Sequence, residues 1–449
     1  MKPPAVILLG GMVATWNHRF LHAARRRGLA VLLVDGPTTG LAGLVEQRRS
    51  ASSESRSSES PSSESPSSGH PLHGVTDCAE REPGEVGGVL EACLDWTDRW
   101  DVRGICSLRE EFVEAAGLVT DLLGLSGPGL RASRVSRNKF LQRRYLSAWS
   151  PRSDLVVPAA RVARVAAWDR FPAVVKPIGR LASSGVQLVL TPAELVEALE
   201  AYQPGEVLQF EERVVGPEFS VESLSRNGEC LYVEVTEKRT TEGDSPYFVE
   251  LGHTTPAVNL TESARANLLA AHAAVLNRLQ FGTGIAHGEY RVTARGRVVL
   301  TEVAVRPPGD SILALHWLAT GTPLEDALIG LAVGEDVVPP SHPRRYARQV
   351  YLPHQPGTLS GMAAPNGAGL GVTWFDRAAA HDPVREAGAA TDPPTVRCLM
   401  ALKPLGSQLG PLRESADRVS MFVIDATSPD ALDQLEAQVS RDVHLEVSR

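Results

Sequence analysis

Apolar and polar positions along this chain fall into two alternating periods, one for strands and one for helices. Residues 5–9 read Ala-Val-Ile-Leu-Leu, a continuous apolar run of the kind a strand buried on both faces requires. Gly10-Gly11 predicts the turn that follows, 16–27 a helix stopped by Gly28, and 30–34 a second strand ending at Asp35-Gly36. Together these predict one βαβ unit. A helix over 88–97, a strand over 104–107 and a helix over 110–123 continue the α/β pattern. Strands are then predicted at 173–176, 186–190, 207–210, 218–224 and 231–237. The helix predicted over 261–279 has Thr261 as its cap and Ala, Leu and Val at helical spacing. Strands at 286–292 and 297–303 follow, joined by a turn at Ala294-Arg295-Gly296. A last strand at 419–425 precedes a helix at 428–439 that starts on Ser428-Pro429.

Three stretches interrupt this order. Residues 50–69 are a Ser-Ser-Glu-Ser-Pro-like repeat with no apolar residue after Ala51, which cannot bury enough surface to offset its ordering entropy. They are expected to form a disordered surface insertion. Pro128 with the basic stretch 131–137 marks a boundary, and Pro339, Pro340 and Pro343 mark another. The expected division is a Rossmann-like unit at 1–130, a central domain at 131–335, and a smaller α/β piece at 336–449 packed on the second.

Composition narrows the function classes. A chain of 449 residues with 43% hydrophobic and 22% charged positions can bury a core without metal or disulfide staples. The net charge of -8 argues against a nucleic-acid partner. The arginines at 25–27 and 143–144 are expected on solvated helix faces. The five cysteines show no CxxC pair and suit a reducing compartment. The opening apolar run is too short for a signal peptide, and no apolar run approaches the roughly 20 residues of a membrane helix. A soluble, cytoplasmic protein is expected, with neither membrane nor nucleic acid as partner.

Three clusters carry candidate chemistry. Lys176 closes the strand 173–176, followed by Pro177, Gly179 and Ser183-Ser184-Gly185, so that an ammonium stands beside a Gly/Ser loop able to wrap a phosphate. Glu211-Glu212-Arg213-Val214 ends a strand, and Gly216-Pro217 links it to a strand starting on Glu218; backbone groups there can read an adenine edge and an acid can accept ribose hydroxyls. Glu289 and Glu302 lie on the two strands of one hairpin, where they can sit side by side. Like charges so placed ask for a cation, and Mg²⁺ suits oxygen ligands near a phosphate. Arg306 follows, leading into Pro307-Pro308-Gly309-Asp310, and its planar fork suits a carboxylate or phosphate. The first βαβ unit lacks GxGxxG, which counts against a nicotinamide-dependent reductase.

In this order the motifs resemble the ATP-grasp superfamily over roughly residues 1–335. They are most similar to its amino-acid ligase branch, which includes the alanine–anticapsin ligase and carnosine synthase. Asn138-Lys139, opening a helix, resembles the family's first ATP lysine, and Val175-Lys176-Pro177 its second. The stretch from Glu211 through Val214 to Glu218 resembles the adenine linker and ribose acid. Glu289 and Glu302 match the metal glutamates, and Arg306 the substrate arginine. Phe248-Val249-Glu250-Leu251-Gly252-His253 is similar to the branch's glycine–histidine segment, which implies His253 in an amino-acid pocket with Arg306, Gly309 and Glu111. The resemblance implies an ATP-grasp fold with a lid at about 150–215, and ATP and Mg²⁺ as cofactors. It also implies amino-acid or peptide substrates, with a homodimer as the candidate assembly. The implied reaction makes an acyl phosphate, which an amine then captures, as in small-peptide antibiotic biosynthesis. A carboxylase or purine-pathway ligase on the same fold and a non-catalytic ATP-binding protein are the rival expectations. Two departures stand out: Ala304 replaces the family's metal-holding asparagine, and the loop 179–185 is poor in glycine.

Overall fold

The computed structural model describes residues 1–40, 42–43, 74–364, 372–374 and 384–448; the Ser-rich stretch 50–69 lies outside the described residues. The opening apolar run becomes the strand Pro4–Leu9, with residues 5–9 wholly buried. It lies between parallel neighbours Ala30–Asp35 and Asp101–Ser107, and Val75–Glu80 completes this four-stranded sheet as an edge. The predicted helix at 16–27 is instead two helices, Gly11–Trp16 and Arg19–Arg26. The break is a tertiary effect: Asn17 and Arg19 both donate to the buried Glu325 carboxylate, at 2.6 and 2.9 Å.

The arginines at 25–27 are not simply solvated. Arg27 pairs with Asp326 at 2.8 Å and with Glu335 at 2.8 Å, and Arg26 pairs with Asp326 at 2.5 Å. They tie the N-terminal unit to the helix Leu324–Ala332. Arg143, also expected on a solvated face, is buried, whereas Arg144 is exposed.

A nine-stranded sheet forms the middle of the molecule. Its order is Val298–Ala304, Gly284–Val292, Glu218–Arg226, Glu229–Thr240, Glu250–Thr255, Tyr346–Tyr351, Ser420–Ala426, Thr395–Ala401 and Thr373–Trp374. Period-two alternation sets its two faces. Phe219, Val221, Ala286 and Tyr290 pack against the helix Glu262–Leu279. That leaves Glu218, Glu222, His287 and Glu289 for the opposite face. Thr261 caps the helix, accepting from the Ala264 N–H at 3.3 Å, which stabilises it by about 1 kcal/mol.

The part after residue 335 is more than packed on the central domain. Tyr346–Tyr351 pairs antiparallel with Glu250–Thr255, so its strands extend the same hydrogen-bonded sheet. The helix Pro429–Asp442 covers it, capped by Ser428.

Residues 153–212 make a separate small antiparallel sheet, ordered Ser153–Val156, Leu208–Glu212, Ala173–Pro177 and Gln187–Val189. It has its own core, centred on Trp168, Val175, Leu195 and Phe210. The Leu188 N–H reaches the main body, donating to the Pro246 carbonyl at 2.7 Å.

Candidate functional site

A cleft of about 540 Å³ runs between the small sheet, the large sheet and the N-terminal unit. Lys139, Lys176, Ser183, Ser184, Glu211, Glu212, Val214, Glu218, Glu289 and Glu302 all line it, as do the expected pocket residues Glu111, His253, Arg306 and Gly309. Gly185 does not. It closes the loop behind them at φ +71°, with its carbonyl accepting from the Tyr202 hydroxyl at 2.8 Å.

The two lysines converge from different elements. Asn138 caps the helix Lys139–Tyr145 by accepting from the Leu141 N–H, which fixes the start of that helix in the cleft. Lys139 donates to the Arg180 carbonyl at 3.1 Å and lies 3.2 Å from Glu302. Lys176 pairs with Glu211 at 2.8 Å. Arg143 grips the same carboxylate at 2.6 Å and also donates to the Thr301 carbonyl. Burial favours the neutral acid at Glu211, but Arg143 and Lys176 outweigh it and hold the carboxyl down at about 2. Lys176 is lowered to about 8, by burial first and then by Arg143 and Lys139, against the pull of Glu211. This corner therefore holds more positive charge than its acids neutralise, a setting suited to an anion. Glu211 is occupied as an anchor for these cations rather than open to a ligand.

Glu289 and Glu302 are direct cross-strand partners, as expected of the hairpin. They are not unpaired: Lys238 lies 2.5 Å from Glu289, and Lys139 serves Glu302. Lys238 also reaches Glu218 at 3.0 Å and Glu250 at 3.6 Å. Burial would lower its pKa, yet Glu289, Glu218 and Glu250 together raise it well above the ordinary lysine value. His287 lies 3.3 Å from Glu289 and is backed by Glu222 at 2.7 Å. Burial opposes its charge, but the bonds to Glu222 and Glu289 push it up to about 9. Ala304 stands directly across the ladder from His287. Among the described residues no three or more His, Cys, Asp or Glu side chains form a metal cluster. The donor set is thus two carboxylates, which fits a hard cation that completes its shell with phosphate oxygens and water.

At the other end, the N–H groups of Glu212 and Arg213 donate to the Arg152 and Pro172 carbonyls, which fixes the path of the linker. Gly216 has φ +152°, and a Cβ there would meet the Val292 carbonyl oxygen at 2.2 Å, so only glycine fits this approach. Glu218 is held by Lys238 and by Arg291 at 2.7 Å. Its carboxyl lies below the usual range because these cations overcome burial.

Arg306 pairs with Glu110 at 2.6 Å, not with the nearby Asp310, and it also donates to the Pro307 carbonyl at 2.7 Å. Glu110 in turn binds Arg137 at 3.0 Å, whereas the expected Glu111 binds Arg109 at 2.5 Å. Arg109 further binds Asp35, whose second oxygen accepts from the Met12 N–H. The acid ending the second strand is thereby used within the N-terminal unit. Asp310 bonds His253 at 2.8 Å and takes both prongs of Arg418. His253 is 2% exposed and its Nδ1 has no hydrogen-bond partner.

The sequence pattern did not expose Lys238, Arg143, Glu110, Arg291, Ser415 or Arg418 as members of this site. For Lys238 the only hint is that Tyr232, Glu234, Thr236 and Lys238 alternate with Leu231, Val233 and Val235 yet are all buried, and the partners that give it a role lie on other strands. For Ser415 and Arg418, far away in the chain and in no recognisable pattern, there was none.

Residues 169–314 match the family model of the ATP-grasp domain. An uncharacterized protein of Sinorhizobium fredii, y4rH, is 32% identical over 247 residues, covering 53% of this chain and 50% of its own. The ATP-grasp enzyme fsqD of Aspergillus fumigatus is 26% identical over 202 residues, covering 42% of this chain and 35% of its own. The chain thus spans half or less of the length of the curated relatives it matches. Among solved structures, an L-amino acid ligase from Bacillus licheniformis shares the fold with a TM-score of 0.71 at 18% identity, over 100% of both chains.

Proposed function

The chain carries an ATP-grasp domain, and on that premise we propose that it is an ATP-dependent carboxylate–amine ligase for amino-acid-like substrates. The observation that carries this reading is the gathering in one cleft of a two-lysine corner, an in-register glutamate pair, an arginine and a buried histidine. The lining holds nine carboxylates against nine lysine and arginine side chains and the raised His287, so its net charge is small and the cleft suits a load of nearly zero net charge, such as ATP with two divalent cations.

Lys139 and Lys176 would hold the phosphates, with Ser183 and Ser184 closing over them. The linker at Glu212–Val214 would face the adenine, and Glu218 the ribose, released from Lys238 and Arg291. Glu289 and Glu302 would hold Mg²⁺, which when bound neutralises charge on the transferring phosphoryl group. Lys238 and Lys139 would neutralise these two acids until then. Arg306, anchored on one edge by Glu110, would present its remaining N–H groups to the substrate carboxylate. That carboxylate attacks the γ-phosphoryl group to give an acyl phosphate and ADP. The second substrate's amine then attacks the acyl carbon and displaces phosphate. His253, with its unpartnered nitrogen, would hold the amino-acid substrate against the wall made by Asp310. The small sheet at 153–212 would act as the lid that keeps water from the acyl phosphate. With this reading we also propose synthesis of small peptides in the cytoplasm and a homodimer as the assembly.

A screen of amino-acid pairs with ATP and Mg²⁺ tests it. Phosphate release that requires both amino acids, with the matching amide found by mass, is the expected result. Nucleotide binding with no release for any pair would instead favour a non-catalytic protein.

A further inference from the structure

We infer that the turn Ser415–Asp417 and the adjoining Arg418, from the C-terminal part of the chain, are a latch that ties the phosphate loop to the substrate wall. Ser415 is its positioning residue. Three bonds at Ser415 build the latch, besides the turn-closing bond that its carbonyl accepts from the Arg418 backbone N–H at 3.4 Å. Its N–H donates to the Ala182 carbonyl at 3.2 Å, on the loop between Lys176 and Val186. Its hydroxyl donates to Glu250 at 2.8 Å, on the large sheet. Its carbonyl accepts from Arg418 at 2.9 Å. Arg418 lies 3.9 Å above the Tyr351 ring, and its fork holds Asp310, the partner of His253. One turn therefore touches the loop over the phosphates, the sheet beneath them and the wall of the amino-acid pocket.

The loop has reason to need such a hold. Ala182 and Ser183 both adopt left-handed backbone, at φ +55° and +58°, which residues with a Cβ disfavour. The carbonyl that Ser415 binds belongs to the first of them. The turn itself is fixed from within, since Asp417 accepts from the N–H groups of Arg413 and Glu414 at 2.9 and 3.0 Å. A rigid turn thus braces a loop that its own sequence does not favour. Because the brace continues through Arg418 to Asp310, a substrate seated against Asp310 and His253 would be sensed at the phosphate loop. Closure over the nucleotide would then be firmest when the substrate pocket is correctly formed.

The local geometry supplies a clean perturbation. Ser415 is the first residue of its turn, where the N–H is not needed inside the turn, and Glu414 before it is extended at ψ 167°. Proline fits such a position and the extended residue before it. Ser415→Pro removes the donor to Ala182 together with the hydroxyl, whereas Ser415→Ala removes the hydroxyl alone. Hydrogen exchange of residues 179–186 is the primary readout and requires no catalysis. Loss of one net hydrogen bond predicts exchange roughly 2- to 10-fold faster in Ser415→Pro than in the parent, with Ser415→Ala in between. Arg418→Gln, which removes the guanidinium from Asp310 and from the turn's carbonyl, should also speed exchange there, and it decides the matter if the proline variant does not fold. The second readout rests on the ligase reading: the ratio of ADP to amide formed should rise above one as acyl phosphate leaks to water. Parental exchange at 179–186 in the folded variants overturns the latch. Absence of ADP from the parent would overturn the ligase reading and leave the exchange result to judge the latch by itself.

Discussion

Replacing Arg143 by leucine removes a guanidinium whose side chain is 2% exposed and which binds Glu211 at 2.6 Å and the Thr301 carbonyl at 2.6 Å. Breaking a buried ion pair from one side costs about 3–5 kcal/mol, because a charge is left without compensation. Here Lys176 remains 2.8 Å from Glu211, which places the loss near the lower bound, about 3 kcal/mol. The Thr301 carbonyl loses a donor, adding about 1 kcal/mol. Arg144→Leu is the internal control, since that side chain is exposed and its loss should stay within about 0.5 kcal/mol. The two losses come to about 4 kcal/mol, so at roughly 2–4 °C per kcal/mol for a cooperative unit of this size, Arg143→Leu should lower the melting temperature by about 8–16 °C. Calorimetry of the parent and both variants measures this. Equal melting of the two leucine variants would show that Arg143 is a surface residue and that Glu211 does not anchor the lysine corner.

Three further outcomes follow from the site. Glu302→Gln should retain the fold and lose Mn²⁺ binding in the presence of nucleotide, seen as free Mn²⁺ in electron paramagnetic resonance; parental binding would exclude this residue as a ligand. Lys176 titrates at about 8 and holds phosphate only when protonated, so ATP affinity should be constant below that pH and fall by roughly tenfold per unit above it. An affinity that stays flat from pH 7 to beyond 9 would remove Lys176 from the phosphate site. Arg306→Lys keeps a charge beside Glu110 but loses the two-pronged donor, so ATP binding should persist while phosphate release falls about 10²-fold or more; near-parental release would refute the carboxylate role.

What could be read in advance depended on how local the determinants were. The Glu289–Glu302 pair was legible because a two-residue strand period and a short turn fix both residues on one face. Thr261 and Ser428 announced their helices through capping chemistry that operates within three residues. Lys238 was hidden because its meaning lies in three carboxylates brought from separate strands. The same holds for Glu110 and Glu111: adjacent in sequence, they face different arginines, and only packing decides which one meets Arg306. The helix break at Asn17 was likewise invisible, since its cause is a carboxylate 308 residues away.

The central claim is that a carboxylate is activated by direct phosphorylation in this cleft, and oxygen transfer tests it most directly. A substrate carboxylate labelled with heavy oxygen attacks the γ-phosphoryl group through one labelled oxygen, which stays on phosphorus when the amine displaces phosphate. Each phosphate released during amide formation should carry one labelled oxygen, read by mass spectrometry or by the isotope shift in phosphorus resonance. Amide formed with unlabelled phosphate would contradict it.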